Sequence, residues 1–141
     1  MFVNPAKFNS HAAELRNIRA KVVAKQLEMI GAVSSIVDIG AGDGLGTMEV
    51  IGTLTPKRVI ISDPFEENIR TARKRLRHTV STNTFIVGRD EHVTEHAELV
   101  MSHGVLGWLS DPSRHIAHLS HLSKRYISLL VGNPGGHLIQ A

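Results

Sequence analysis

The chain has 141 residues, a formal charge of +3, 42% hydrophobic and 21% charged residues, which suits a globular protein with one core and leaves no room for two. It contains no cysteine, so disulfides, zinc–thiolate sites and thiol nucleophiles are excluded. Met1-Phe2-Val3-Asn4-Pro5 lacks the basic flank and apolar run of a secretory signal, and no apolar run nears the roughly 18 residues that span a bilayer; a soluble, cytoplasmic protein without membrane contact is expected.

Residues from about Phe8 to Ile30 read as one amphipathic helix. Leu15, Ile18, Val22 and Met29 recur at helical spacing, and Val23, Leu27 and Ile30 widen the stripe. Gly31 stops it. A first strand is expected from Ser35 to Ile39, then a glycine turn and a helix ending near Gly52. Thr55-Pro56-Lys57 is a connecting turn, and Val59 to Ile61 a second strand. A helix follows Pro64 with Ile69, Ala72 and Leu76 inward. Thr84 to Val87 and Glu98 to Ser102 supply strands three and four. Asp111 caps another helix with Pro112 in its first turn, and its apolar positions are Ile116, Leu119 and Leu122. Tyr126 to Val131 is the fifth strand. This alternation predicts an α/β fold, a parallel sheet with helices on both faces. Residues 1–141 read as one domain, with an N-terminal helical segment (1–32) and a core (33–141). Right-handed crossovers put the turn after the first strand at the sheet's carboxyl edge, the usual ligand crevice.

That turn carries the strongest chemical signal. In Ile36-Val37-Asp38-Ile39-Gly40-Ala41-Gly42-Asp43-Gly44 an apolar strand ends in a carboxylate, and glycine then occupies every second position. Glycine admits a ligand close to the backbone, and the helix that follows aims free N–H groups and a partial positive charge at it. A dinucleotide fingerprint needs G-x-G-x-x-G, but its third glycine would fall on Leu45 or Thr47. Asp38 would also repel a pyrophosphate, whereas a ligand ammonium group would be attracted. Asp63, nineteen residues after Gly44, closes the second strand, where an acidic residue can accept both ribose hydroxyls. It can also cap the next helix, with Pro64 at the first helical position; the two roles are compatible.

The turn resembles the first motif, D/E-x-G-x-G-x-G, of the class I S-adenosylmethionine-dependent methyltransferases. Ser102-His103-Gly104-Val105-Leu106-Gly107-Trp108-Leu109-Ser110-Asp111-Pro112 resembles the H-x-V-L-x-W/H-x-x-D-P segment of many small-molecule members, its tryptophan form being most similar to the tRNA carboxymethoxyuridine methyltransferases. The resemblance covers roughly Val37 to Asn133, about two-thirds of the chain. It implies a three-layer αβα sandwich with a mostly parallel Rossmann-like sheet of order 3-2-1-4-5, and S-adenosylmethionine as cofactor. It further implies methyl transfer to a small molecule or RNA. Asp38 would hold the cofactor's amino group, while Gly40, Ala41, Gly42 and Gly44 would pack against its methionyl and ribose parts. Asp63 would take the ribose hydroxyls, and Pro64 and Phe65 would flank the adenine. Asp90 is the candidate acceptor for the adenine amino group, with Arg89 behind it, and Ser102, at the end of strand four beside the transfer site, completes the candidate cofactor contacts. His103 is a general-base candidate or merely orients a loop. Trp108 could stack on a flat substrate, but the preferred reading places it in the core. The class has seven strands and this chain supplies five, so strand five would keep an open edge. Either the chain is a fragment, or a second copy or another subunit covers that edge, and a non-catalytic module acting through association is the alternative function.

Three other patterns point less far. His92-Val93-Thr94-Glu95-His96 matches the H-x-x-E-H zinc motif but falls in a short connection rather than a helix, so no metal is assigned. His115, His118 and His121 lie three apart on one helix, read as a solvated face. Arg70, Arg73, Lys74, Arg75 and Arg77 form a basic cluster that could contact RNA phosphates; the preferred reading is an exposed helix face with Glu66 and Glu67 in its first turn, as the helix dipole favours.

Overall fold

A computed structural model describes residues 10–131. Helix α1 (Ser10–Leu27) ends in a 3-10 turn (Glu28–Ile30) and Gly31, at φ +74°. The expected helix start at Phe8 lies outside the described residues. The remaining order is β1 (Ser35–Ile39), α2 (Leu45–Leu54), β2 (Arg58–Asp63), α3 (Glu66–Leu76), β3 (Thr82–Val87), β4 (Ala97–His103), α4 (Pro112–Leu122) and β5 (Ser123–Leu130). Each expected strand is present, β1 at its expected bounds and the others with bounds moved by up to three residues. All four strand pairs are parallel, and the order is β3-β2-β1-β4-β5.

Strand side chains alternate between faces, which splits the core in two. Ile36, Val59, Ile61, Leu99 and Met101 pack against Val50, Leu54, Ile69, Ala72 and Leu76, beneath α1, α2 and α3. Val37, Ile39, Ile60 and Val100 meet Leu119 and Leu122 of α4 on the other face. The fold is therefore a three-layer αβα arrangement with a Rossmann-like parallel sheet.

Two helices are rotated from their expected phase. On α1 the expected Val23 and Leu27 do face the core, as does Ile30 in the turn after it, but Ala20 and Ala24 join them while Leu15, Ile18, Val22 and, in that turn, Met29 are exposed. Small residues let α1 lie close over α2, so the large apolar positions turn outward. On α4 the buried set is His115, Leu119 and Leu122, with Ile116 exposed. This i, i+4, i+7 stripe carries a histidine inward, contrary to the expected solvated histidine face. The basic face of α3 also does more than meet water: Arg75 bonds the Asp43 carbonyl at 2.9 Å and Arg73 lies over the Phe85 ring at 5.4 Å. None of the described helices is long and apolar enough to cross a membrane.

Candidate functional site

The carboxyl ends of β1, β2 and β4 open into a cleft of about 1460 Å³. The β1 turn folds back onto β2, since Gly40 and Ala41 N–H both donate to the Ser62 carbonyl, at 2.9 and 3.0 Å. Gly40 adopts φ +72°, and a Cβ there would lie 2.4 Å from Val105 Cγ2. The glycine thus lets the loop after β4 close against the turn. Gly44, expected to face the ligand, does not line the cleft; at φ +82° its α-carbon faces Ala72 and Leu76 of α3, so its role is helix packing.

Asp38 lies at the cleft floor, 4% exposed. Thr47 Oγ1 donates to its Oδ2 at 2.6 Å, and no described residue donates to Oδ1. Burial pushes this carboxyl up to about 6, against the Thr47 bond and with the help of the Asp63 charge. A buried acid with one open oxygen is suited to a cationic ligand group.

Asp63 is buried beside it. Its Oδ2 accepts from Gly42 N–H at 2.9 Å, and its Oδ1 from Phe65 N–H at 2.9 Å and Asn68 Nδ2 at 3.0 Å. A carboxylate has about four acceptor positions, so one remains on Oδ2. Asp63 does not cap α3: the cap position is Phe65, and Pro64 precedes the helix instead of opening it. The bond to Phe65 N–H forms one step before the first turn. Pro64 and Phe65 line the cleft. Asp43 is spoken for from two sides, by Arg16 at 2.7 Å and Arg75 at 3.1 Å. Burial opposes its charge, yet Arg16, Leu45 N–H and Arg75 together hold its carboxyl below the usual range.

At the end of β4, His103 lines the cleft, and its Nε2 lies 2.8 Å from Ser128 Oγ on β5. Burial, aided by the Arg19 charge, pushes its imidazole down to about 4. It is neutral at physiological pH and a weak proton acceptor. Arg19 of α1 approaches Gly104, its Nη1 3.7 Å from where a Cβ would stand. Among the described residues it has no carboxylate partner, and burial and the nearby Arg16 both work against its charge. Trp108, expected in the core, is 45% exposed and stands on the cleft wall. It falls in a 3-10 turn (Leu106–Trp108) outside the sheet layers.

Beyond β3, Asp90 is buried and its oxygens are fully used. His115 Nδ1 lies 2.7 Å from Oδ2, Arg114 Nη2 donates to both oxygens at 3.1 and 3.2 Å, and Glu91 N–H donates to Oδ1 at 2.9 Å. Burial opposes its charge, but the bonds from His115, Glu91 and Arg114 hold the carboxyl well below the usual range. An adenine amino group would have to displace Arg114 to reach it. Arg89 lines the same end of the cleft. Ser102, expected beside the transfer site, does not line the cleft. Side chains alternate along β4, so it faces α4 instead and its Oγ lies 2.8 Å from His115 Nε2.

The H-x-x-E-H residues have separate partners: His92 Nδ1 accepts from Arg89 N–H, Glu95 pairs with Arg58, and His96 packs edge-on against His121. Sequence reasoning missed Arg16, Arg19, Thr47 and His115. Only His115 left a signal, through its i, i+4, i+7 spacing with Leu119 and Leu122.

Residues 37–126 match the methyltransferase domain family. The chain belongs to that family. Among curated proteins none matches the sequence significantly. Similar solved structures include the plantazolicin methyltransferase BpumL in complex with S-adenosylhomocysteine (TM-score 0.65, 20% identity), over 81% of this chain and 45% of that one. Magnesium protoporphyrin IX methyltransferase from Synechocystis PCC 6803 with bound S-adenosylmethionine is another (TM-score 0.69, 16% identity), over 87% of this chain and 63% of that one. These likenesses confirm the methyltransferase fold, and the chain spans about half of the first protein's length.

Proposed function

We propose that the chain is the cofactor-binding core of an S-adenosylmethionine-dependent methyltransferase. The observation that carries this reading is the pair of buried carboxylates, Asp38 and Asp63, each with an oxygen position still open at the glycine turn. Family membership and the ligands bound by the similar structures support the same cofactor.

In this reading Asp38 Oδ1 takes the cofactor's ammonium group and Asp63 Oδ2 a ribose hydroxyl. Gly40, Ala41 and Gly42 give the backbone surface between them, and Arg19 suits the α-carboxylate. Phe65 covers an adenine face, with Pro64, Arg89 and the Asp90 region around it. The sulfonium is already activated, so the protein's task is to align the acceptor and exclude water. When bound, the cofactor would supply the methyl group: the acceptor's lone pair would form the new bond while the methyl–sulfur pair stays on sulfur. His103, neutral and hydrogen-bonded to Ser128, orients the loop after β4 and favours acceptors that need little help losing a proton. Trp108 offers a flat wall for the acceptor, a small molecule or an RNA base. The similarity of residues 103–112 to the tRNA carboxymethoxyuridine group favours the latter.

Calorimetry with S-adenosylhomocysteine tests the proposal. Saturable binding that weakens at least tenfold in Asp63→Ala is expected; absence of binding by the folded protein refutes it. A second reading, association through the sheet edge, is favoured by the exposure of Ile127 and Leu129 on β5. Sedimentation of a monomer at micromolar concentration would count against it.

A further inference from the structure

Ser102, His115 and Asp90 form a hydrogen-bonded series that neither the glycine turn nor the cofactor reading uses. Ser102 and His115 are wholly enclosed, and Asp90 is 6% exposed. The arrangement has the order of a nucleophilic triad, but an enclosed hydroxyl meets no substrate, so its role lies elsewhere. The ring faces a carboxylate through Nδ1, which assigns the proton to that nitrogen; Nε2 then accepts from the Ser102 hydroxyl. One imidazole therefore joins three segments. Asp90 belongs to the 3-10 turn (Asp90–His92) after β3. Ser102 is the penultimate residue of β4, next to His103. His115 sits in the first turns of α4, directly after the Leu106–Ser110 loop that carries Trp108, and Asp111 caps the helix through Arg114 N–H at 3.1 Å. His118 adds a second tie, its Nε2 donating to the Asp90 and Val93 carbonyls at 3.0 and 2.9 Å.

We infer that His115 is a positioning residue which locks the loop after β3 (residues 88–93) to the loop after β4 (residues 104–111), both of which line the cleft. This rests on the cofactor reading above. Two features make the lock stiff. The Asp90 bonds are charge-assisted, and the site is shielded from water, where a broken bond would leave a buried polar group unpaired. Occupation of the residue 88–93 end by a nucleoside is thereby transmitted to the loop that holds Trp108, before any acceptor arrives.

Amide hydrogen exchange of the full chain, with adenosine as probe, tests the inference; adenosine lacks the methionyl part and engages only the nucleoside end. In the parent protein adenosine should slow exchange at 88–93 and also at 104–111, by threefold or more. In His115→Leu, adenosine should still slow 88–93 while 104–111 no longer responds. His115→Asn, whose amide N–H can still donate towards Asp90, should restore part of the response. The inference is overturned if 104–111 stays unchanged in the parent protein while 88–93 responds, or if His115→Leu transmits as the parent does. Where His115→Leu does not fold, Ser102→Ala takes its place: full transmission in that variant overturns the inference, and its loss supports it. If neither adenosine nor S-adenosylhomocysteine binds the folded protein, the cofactor reading fails and the inference goes with it; binding without transmission removes the inference alone.

Discussion

Replacing Gly40 by alanine isolates how the loop after β4 is seated on the glycine turn. Two costs can be worked out. Holding a non-glycine residue at φ +72° costs about 1–2 kcal/mol. The new Cβ would stand 2.4 Å from Val105 Cγ2, far inside ordinary carbon contact, and such overpacking costs about 1–3 kcal/mol. The sum is about 2–5 kcal/mol, a large part of the about 5–15 kcal/mol that domains possess. Gly42 is the control, since it has φ +62° but nothing within 4 Å of its Cβ position, so Gly42→Ala should cost only about 1–2 kcal/mol. For a chain of this size each kcal/mol is worth about 4 °C in Tm. Thermal unfolding should therefore place Gly40→Ala at least about 4 °C below Gly42→Ala. Val105→Ala in the Gly40→Ala background removes the obstructing methyls and should recover about 1 kcal/mol or more as a coupling energy. Equal losses for the two glycines, or coupling below about 0.5 kcal/mol, would refute the steric argument.

Three further outcomes are expected. Asp38, raised in the folded state to about 6 from 3.8, contributes stability that is complete below pH about 4 and is lost as pH rises through about 6. The shift is worth at most about 3 kcal/mol, so Asp38→Asn should flatten the pH dependence of urea unfolding and stabilise the protein at pH 8. The same variant should bind S-adenosylhomocysteine at least tenfold more weakly, and an unchanged pH profile would refute the assignment. The His103 ring resonances should titrate with a midpoint near 4, and an NMR midpoint near 6.5 would show an open, solvated ring. Ser102→Ala leaves His115 Nε2 buried without a donor, which should cost about 1–2 kcal/mol by urea unfolding; a neutral result would break the assigned series.

The sheet was legible because its strands are short apolar runs bounded by turn residues, and Asp38, Gly40, Gly42 and Asp63 were placed at the cleft because their positions are fixed by local sequence. Helix phase was less legible. Large apolar residues at Leu15, Ile18 and Val22 outweighed Ala20 and Ala24 in the periodicity, yet close packing of α1 on α2 selected the two alanines beside Val23. His115 was misplaced for a related reason: histidine reads as polar until a buried carboxylate is known to face it. Arg19 and Thr47 reach the site from elements whose approach is set by tertiary packing, so nothing near them in the chain announces the role. Ser102 turned away from the cleft because β4 extends to His103, and alternation then decides which of two adjacent residues faces it.

The carboxyl at the cleft floor has one more consequence. Burial raises the Asp38 carboxyl to about 6, so in a mildly acidic medium a cationic guest would expel a hydrogen from it. Loading would then be an exchange of one cation for another, and the heat of binding would change with the ionisation enthalpy of the buffer. A more acidic medium would unload the cleft while leaving its walls in place.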